Sequence, residues 1–195
     1  MKILAFTDTH GSPSDLETVK KKAKNADIII CAGDFTIFEN EIEYVLQHMN
    51  SIQKKVLLIH GNHEDEITVK AMIPHFKNLE FIHKKIVEIG EYAFVGYGGG
   101  GFATRDAEFE IWTDKISKKL QGKKVILVVH GPPYGTKVDL LGMGYAGNKS
   151  FTKVIKKEQP KLVICGHLHE TFGKKDKINN SIIINPGPEG EIINI

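Results

Sequence analysis

Short apolar runs rich in β-branched residues alternate with longer amphipathic stretches along this 195-residue chain. That alternation is typical of an α/β protein, in which helices pack on the faces of sheets. It predicts strands at 3–6, 27–31, 55–59, 125–129 and 162–165, and helices at 14–24, 40–49, 66–72, 107–120 and 149–157. Shorter runs predict further strands at 81–82, 86–89, 92–97, 171–174, 181–184 and 190–195. We expect one domain, residues 1–195, with two packed sheets and the helices outside.

Five of these strands end in the same way. The apolar run stops, a glycine appears, and a side chain that can bind metal stands beside it. These side chains are Asp8, His10, Asp34, Asn62, His63, His130, His167 and His169. A single histidine or aspartate at a strand end is usually a turn or capping residue, but five such turns are hard to explain by capping alone. Because ligands in α/β sheets bind beyond the carboxyl ends of strands, we expect the five turns to converge on one cleft.

The residue types indicate the chemistry of that cleft. Aspartate and neutral imidazole suit divalent manganese, iron, cobalt, nickel or zinc. Seven candidate ligands are too many for one four-coordinate ion, so we predict two ions that share a carboxylate; the seven are Asp8, His10, Asp34, Asn62, His130, His167 and His169. Two ions about 3.5–4 Å apart form a clamp for in-line displacement at phosphorus. Two divalent ions carry four positive charges, of which two aspartates and a bridging hydroxide neutralise three. The remaining positive charge favours an anionic substrate.

The composition argues against several other classes of protein. A net charge of +2 gives no strong field for nucleic acid or for a membrane surface. No apolar run approaches the roughly 18 residues of a membrane span, and no signal peptide opens the chain, so we expect a cytoplasmic location. Cys31 and Cys165 each lie in an apolar run, which predicts buried thiols and no disulfide framework. A homo-oligomer stays open as an alternative to a monomer.

The ordered motifs D-x-H (Asp8, His10), G-D (Asp34), G-N-H-E (Asn62, His63), a strand-end His130 and G-H-x-H (His167, His169) resemble those of the calcineurin-like metallophosphoesterases. The stretches G-D-F-T, G-N-H-E, H-G-P-P-Y-G and G-H-x-H-E resemble in particular a small subgroup of class III phosphodiesterase-like proteins. The resemblance covers residues 2–169 and the Asn185-Pro186-Gly187 turn. It implies a four-layer α/β/β/α sandwich, made of two mixed sheets flanked by helices.

The same resemblance assigns roles to the residues. One ion would be held by Asp8, His10, Asp34 and His169, and the other by Asp34, Asn62, His130 and His167, with Asp34 as the bridge. A metal-bound hydroxide would attack phosphorus, and His63 would be the general acid for the leaving oxygen. Manganese is the expected metal, with iron, nickel, cobalt or zinc as alternatives. The expected substrate is a small phosphodiester or cyclic nucleotide, and diesters are preferred over monoesters.

The chain departs from the family at one point. Many members carry an aspartate or histidine three residues after the G-D motif, where this chain has Ile37 in the sequence Gly33-Asp34-Phe35-Thr36-Ile37. One neighbour of the metal ligands is therefore missing from the pattern. Two other functions remain as alternatives. A nuclease would need a basic groove, and a non-catalytic scaffold of the same fold would be expected to lack ligands or the catalytic histidine.

Residues outside the motifs give weaker indications. Aromatic side chains in the flanking loops, Phe38 and Phe102 among them, could stack on a base, although ordinary loop packing is the simpler interpretation. The glycine-rich segment 131–147 is a candidate for a mobile lid. We assign residues 64–66 to the N-terminus of the following helix. His60 is expected to pack near the site, and His48, His75 and His83 to lie on the surface.

Overall fold

The computed structural model describes residues 1–195. The first sheet is built on four parallel strands that lie side by side in chain order: β1 (Lys2–Phe6), β2 (Ile28–Cys31), β3 (Val56–Leu58) and β4 (Leu79–Phe81). The last strand of the chain, β13 (Glu191–Asn194), pairs antiparallel with β1 and forms that edge of the sheet. The order of the first sheet is therefore β13-β1-β2-β3-β4.

The second sheet has six strands and is also mixed. Its parallel strands lie in the order β6 (Tyr92–Tyr97), β7 (Lys124–Val129), β10 (Leu162–Ile164) and β12 (Ser181–Ile184). At its two edges, β5 (Lys85–Ile89) pairs antiparallel with β6, and β11 (Lys175–Ile178) pairs antiparallel with β12. A small separate hairpin joins β8 (Leu140–Leu141) to β9 (Gly144–Tyr145).

Helices cover the outer face of each sheet. The first sheet packs against α1 (Pro13–Ala23), α2 (Ile42–Asn50) and α3 (Glu66–Met72), and the second against α4 (Ala107–Leu120) and α5 (Lys149–Glu158). None of these helices is both long and apolar enough to cross a membrane.

Three separate apolar clusters hold the layers together. Strand β1 shows why the sequence produces them, because its residues alternate between two faces. Leu4 and Phe6 point to the helices, whereas Ile3 and Ala5 point to the other sheet, and all four are fully buried. The cluster between the sheets aligns the two sheets face to face. The predicted α/β/β/α sandwich of two mixed sheets is confirmed.

Two local expectations were wrong. The strand predicted at 171–174 is replaced by a 3₁₀ turn at His169–Thr171, and β11 begins only at Lys175. Gly173 has a φ of 75°, a left-handed conformation that interrupts an extended strand. The fourth strand of the first sheet also lies earlier than predicted, at Leu79–Phe81.

The segment 131–147 is anchored at its base, and its predicted role as a mobile lid stays a prediction. It contains the hairpin β8–β9, and β8 packs beside the His169–Thr171 turn. Asp139 is fully buried at the base of the loop. Its carboxylate accepts hydrogen bonds from the backbone N–H groups of Gly135, Thr136 and Gly147. These bonds fix the loop from inside, since they satisfy backbone groups that would otherwise be buried without partners.

Candidate metal centre

The motif residues follow strands of both sheets. Asp8 and His10 follow β1, Asp34 follows β2, Asn62 and His63 follow β3, His130 follows β7, and His167 and His169 follow β10. These five strands are the parallel ones at the middle of each sheet, so their carboxyl ends meet at one edge of the sandwich. The structure brings all eight side chains to that edge, in the cleft where ligands of α/β sheets bind.

The side chains form three overlapping groups, in each of which the potential ligand atoms lie within 4.8 Å of one another. The groups are Asp8, His10 and His169; His10, Asp34 and His63; and Asp34, His130 and His167. Asn62 adjoins the third group, because its Oδ1 lies 3.1 Å from His130 Nε2. The groups share His10 and Asp34, which makes them one continuous cluster. On geometry alone His63 is as close to this cluster as the seven predicted ligands.

The orientation of the imidazoles fits a metal site. His130 Nδ1 lies 2.9 Å from the carbonyl oxygen of Ala32, and His10 Nδ1 lies 3.0 Å from that of Thr36. A carbonyl can only accept, so each Nδ1 carries a proton, and the neutral form of each ring would turn a lone pair on Nε2 toward the cluster. His10 Nε2 lies 3.2 Å from His169 Nε2, as in a pair of converging ligands. His167 Nε2 is buried and has no hydrogen-bond partner in the protein, so a metal ion would satisfy it.

Backbone strain is concentrated at the same place. Asp8, His10, Asp34 and His167 have φ angles of 54°, 46°, 50° and 71°, in the left-handed region that side chains with a Cβ normally avoid. Each such residue costs on the order of 1–3 kcal/mol, and strain of this kind persists at functional sites. Four of the eight motif residues have this strained backbone. The turns therefore place these side chains in the cluster at a cost to local stability.

Two motif glycines are required by close packing. A Cβ added at Gly61 would lie 2.0 Å from Asp34 Oδ1, and one at Gly166 would lie 2.0 Å from Thr7 Oγ1 and 2.4 Å from Asp8 Oδ2. Neither position can accept any other residue without moving an aspartate of the cluster. The motifs G-N-H and G-H-x-H therefore need glycine because the backbone passes too close to these carboxylates to leave room for a side chain.

Each aspartate is held by the backbone of another motif turn. The N–H of His63 donates to Asp34 Oδ1 over 2.9 Å, and the N–H of His167 donates to Asp8 Oδ2 over 2.9 Å. Thr7 Oγ1 also donates to Asp8 Oδ2, over 2.7 Å. The turns after β1 and β10, and those after β2 and β3, are consequently linked in pairs through the carboxylates.

Glu64 holds the turn that carries Asp34. It does not belong to the helix N-terminus where the sequence placed it, because Asp65 is the residue that caps α3. Its buried carboxylate accepts from the N–H groups of Asp34, Gly61 and Thr36 and from Thr36 Oγ1, over 2.7–3.0 Å. Sequence reasoning missed this role. Two features of the sequence were available as signals of this role. One is the absence of an acid three residues after Asp34, and the other is the acid in G-N-H-E.

The Asn185-Pro186-Gly187 turn braces the last motif. Asn185 is fully buried, and its Nδ2 donates to the carbonyl oxygen of Leu168 and to Thr171 Oγ1. The carbonyl oxygen of Gly187 accepts from the N–H of Thr7. This turn therefore ties the end of β1 to the loop that carries His167 and His169.

Two further histidines are buried behind the cluster. His83 is only 8% exposed, so its predicted position on the surface was wrong, whereas His60 is packed as expected. Their ring centroids lie 4.7 Å apart, and the N–H of Gly98 donates to His83 Nδ1 over 2.8 Å. Burial lowers the pKa of both rings to about 4, so both are neutral at pH 7.

The electrostatics of the cluster centre on Asp34 and His130, whose Oδ2 and Nε2 lie 3.2 Å apart. Burial opposes both charges, but the hydrogen bond and the mutual attraction outweigh it. They raise the pKa of His130 to about 9 and lower that of Asp34 to about 2 in the metal-free protein. Burial, together with the nearby His130, lowers the pKa of His167 to about 4, which keeps that ring neutral and able to bind metal.

A Glu64→Gln substitution should weaken the centre without touching a proposed ligand. The amide has one acceptor oxygen and turns an NH₂ group toward N–H donors, so at least one buried N–H loses its partner. We expect the free energy of unfolding to fall by about 2–4 kcal/mol, and Mn²⁺ affinity to fall at least about tenfold. Urea unfolding and calorimetric titration measure the two effects. Glu43→Gln, on the exposed face of α2, is the matched control; equal behaviour of the two variants would contradict this role of Glu64.

The His130–Asp34 pair predicts opposite pH responses of the metal-free and metal-bound protein. The stabilisation from Asp34 is complete above its unfolded pKa of about 4 and is lost as pH falls through about 2. The stabilisation from His130 is complete below its unfolded pKa of about 6.5 and is lost as pH rises through about 9. Metal binding needs neutral His130 and therefore releases a proton near pH 7.

Between pH 6.5 and 9, the Tm of the metal-free protein should accordingly fall while the rise in Tm on adding Mn²⁺ grows. Thermal melts with and without the metal measure both trends, and His75→Gln, a change of an exposed histidine, should leave them intact. A rise in Tm on adding Mn²⁺ that shrinks toward pH 9 would exclude His130 as a ligand that must lose a proton.

Known proteins resemble this chain in sequence and in fold. MJ1162 of Methanocaldococcus jannaschii, named an uncharacterized protein, is 30% identical over 206 residues, which cover 99% of this chain and 91% of that protein. A Coxiella burnetii protein named "Probable cyclic nucleotide phosphodiesterase CBUA0032" is 24% identical over 88% of this chain and 77% of its own length. The crystal structure of TT1561 of Thermus thermophilus superposes with a TM-score of 0.76 at 17% identity, over 99% of this chain and 98% of that one.

The family comparison covers the motifs themselves. The model of the calcineurin-like phosphoesterases matches residues 1–171, a span that contains all five motif turns and all eight side chains of the cluster. Members of this family depend on a dinuclear metal centre, and the cluster supplies candidate ligands for one. The chain therefore belongs to the calcineurin-like phosphoesterase family.

Proposed function

We propose that this protein is a dinuclear metal-dependent phosphodiesterase that hydrolyses small phosphodiesters, with cyclic nucleotides as the leading candidates. The observation that carries the proposal is the overlap of the ligand groups at Asp34, since a carboxylate common to two groups is what a pair of ions requires. The name of the Coxiella burnetii relative supports a diester substrate. The proposal covers residues 1–195 as one domain.

The proposed ligand sets are those that the family resemblance implies, and the first and third groups each fall within one set. Asp8, His10, Asp34 and His169 would hold one ion, and Asp34, Asn62, His130 and His167 the other. Manganese is the proposed metal, with iron, nickel, cobalt or zinc as alternatives that the same donors suit. When bound, such a pair supplies a water-derived nucleophile near neutral pH and a positive clamp for phosphoryl oxygens.

His63 would donate a proton to the leaving oxygen. Its Nε2 lies 3.9 Å from Asp34 Oδ2, and its side chain is about one-fifth exposed, so it faces the cleft from the edge of the centre. Its backbone N–H is already committed to Asp34 Oδ1, which fixes the turn that carries the ring. The rings of His10 and Phe38 lie beside it, with centroids 4.8 and 4.3 Å away.

The two alternative functions have less support. The net charge of +2 gives no strong field for a nucleic acid, and this argues against a nuclease. A non-catalytic scaffold would have no need for the strained backbone at Asp8, His10, Asp34 and His167. No observation of the centre favours either function over the hydrolysis of a small phosphodiester.

The test compares two substrates in the Mn²⁺-loaded protein. A general acid matters for an alkoxide leaving group, whereas p-nitrophenolate leaves without a proton. His63→Ala should therefore lower kcat/KM about 10²–10⁴-fold for a 3′,5′-cyclic nucleotide, and much less for bis(p-nitrophenyl) phosphate. Elemental analysis should still find two metal ions per chain.

His75→Ala, a change of an exposed histidine on the first-sheet side, is the control and should behave as wild type. Loss of a metal ion in His63→Ala would make His63 a ligand, and equal losses on both substrates would exclude the proton-donor role. A dialysed wild-type protein that hydrolyses no phosphoester with any of the five metals would reject the function itself.

A further inference from the structure

Two phenyl rings stand exposed at the metal centre. Phe38 and Phe102 are each 75% exposed, although phenyl groups are normally buried. The centroid of Phe38 lies 4.3 Å from that of His63, and the centroid of Phe102 lies 4.5 Å from that of His167. The two rings come from different sheets, after β2 and after β6, and each contacts a different histidine of the cluster. Each ring therefore lies against the cluster at a different histidine.

The chain holds Phe38 in place at a cost to local stability. Phe38 and Glu39 both have left-handed φ angles, 47° and 63°. The N–H of Glu39 donates to Thr36 Oγ1, and Glu39 Oε1 accepts from the N–H of Asp65. Thr36 is also the partner of Glu64, so the contacts that fix Asp34 also fix this phenyl. A strained turn that presents an exposed apolar ring gains nothing for folding.

The glycine cluster at residues 98–101 does the same for Phe102. The N–H of Gly99 donates to the carbonyl oxygen of His60, and a Cβ at Gly98 would lie 2.5 Å from His60 Nδ1. A Cβ added at Gly101 would lie 3.5 Å from the Cβ of Asn62, and Gly101 has a φ of 59°. The glycines thus let the backbone pack closely on the turn after β3 and bring the next residue, Phe102, against His167.

We propose that Phe38 and Phe102 bind planar aromatic substituents on the two sides of a phosphodiester, an inference that rests on the proposed function. Phe38 lies against His63 and takes an aromatic group on the leaving side. Phe102 lies against His167 and takes an aromatic group on the side that keeps the phosphate. Exposed rings of this kind stack on any nucleobase or aryl group, because every such group has a π-face. The substrate class is therefore a phosphodiester with a nucleoside or aryl substituent.

The experiment uses the Mn²⁺-loaded full chain and two esters with one leaving group, thymidine 5′-(p-nitrophenyl phosphate) and methyl p-nitrophenyl phosphate. Wild type should prefer the nucleoside ester in kcat/KM by about tenfold, the scale of one base stacked on one ring. Phe102→Ala should bring the ratio of the two values close to one, and Phe102→Tyr should preserve it. Phe38→Ala should lower both values about tenfold and leave the ratio unchanged.

Ile111→Ala, on the exposed face of α4, is the control and should keep both values. Phe38→Gly tests whether the ring has a structural role, since glycine relieves the left-handed strain. Its Tm should equal or exceed that of wild type, while kcat/KM falls as in Phe38→Ala. A Tm lower by several degrees would make the ring a packing residue and overturn the inference for Phe38.

The inference and the proposed function can fail separately. If wild type hydrolyses both esters equally well, or if Phe102→Ala keeps the preference, the aromatic sites are wrong and the phosphodiesterase stands. If wild type hydrolyses neither ester with any of the five metals, the proposed function is wrong as well.

Discussion

The interaction on which the rest of the site depends is the hydrogen bonding of the Glu64 carboxylate to the turns after β2 and β3. Glu64 gathers the N–H groups of Asp34, Gly61 and Thr36, and it thereby holds Asp34 in a left-handed conformation that its Cβ disfavours. Asp34 in turn links His63 and His130. Burial raises the pKa of Glu64, and the hydrogen bonds from Gly61 and Thr36 oppose that rise.

The second requirement is the apolar layer between the sheets. Three of the motif turns belong to the first sheet and two to the second, so the cluster exists only when both sheets are aligned. Small and β-branched residues such as Ala5, Ile30 and Val128 fill that layer, and all are fully buried. The hydrogen bond from His167 N–H to Asp8 crosses from one sheet to the other and transmits this alignment directly to the ligands.

The sequence predicted the layers and the convergence of the eight side chains, because both depend on strand periodicity and on the common direction of parallel strands. It did not predict the role of Glu64 or the burial of His83. Adjacent acids in Glu64-Asp65-Glu66 look equivalent in the sequence, and only the turn that directs Glu64 inward separates them. The anchoring of the loop at Asp139 was missed for a related reason, since the sequence does not show that this acid turns inward to accept hydrogen bonds from the backbone of its own loop. The role of His63 as proton donor stays a prediction.

The central claim is that Asp34 bridges two metal ions. The most direct measurement is electron paramagnetic resonance of the protein loaded with two equivalents of Mn²⁺, compared with Asp34→Asn prepared in the same way. Two ions about 3.5–4 Å apart and joined by a carboxylate should give the spectrum of a spin-coupled pair in wild type, and Asp34→Asn should give only single-ion signals. A wild-type spectrum of isolated Mn²⁺, or a coupled pair that survives in Asp34→Asn, would contradict the account.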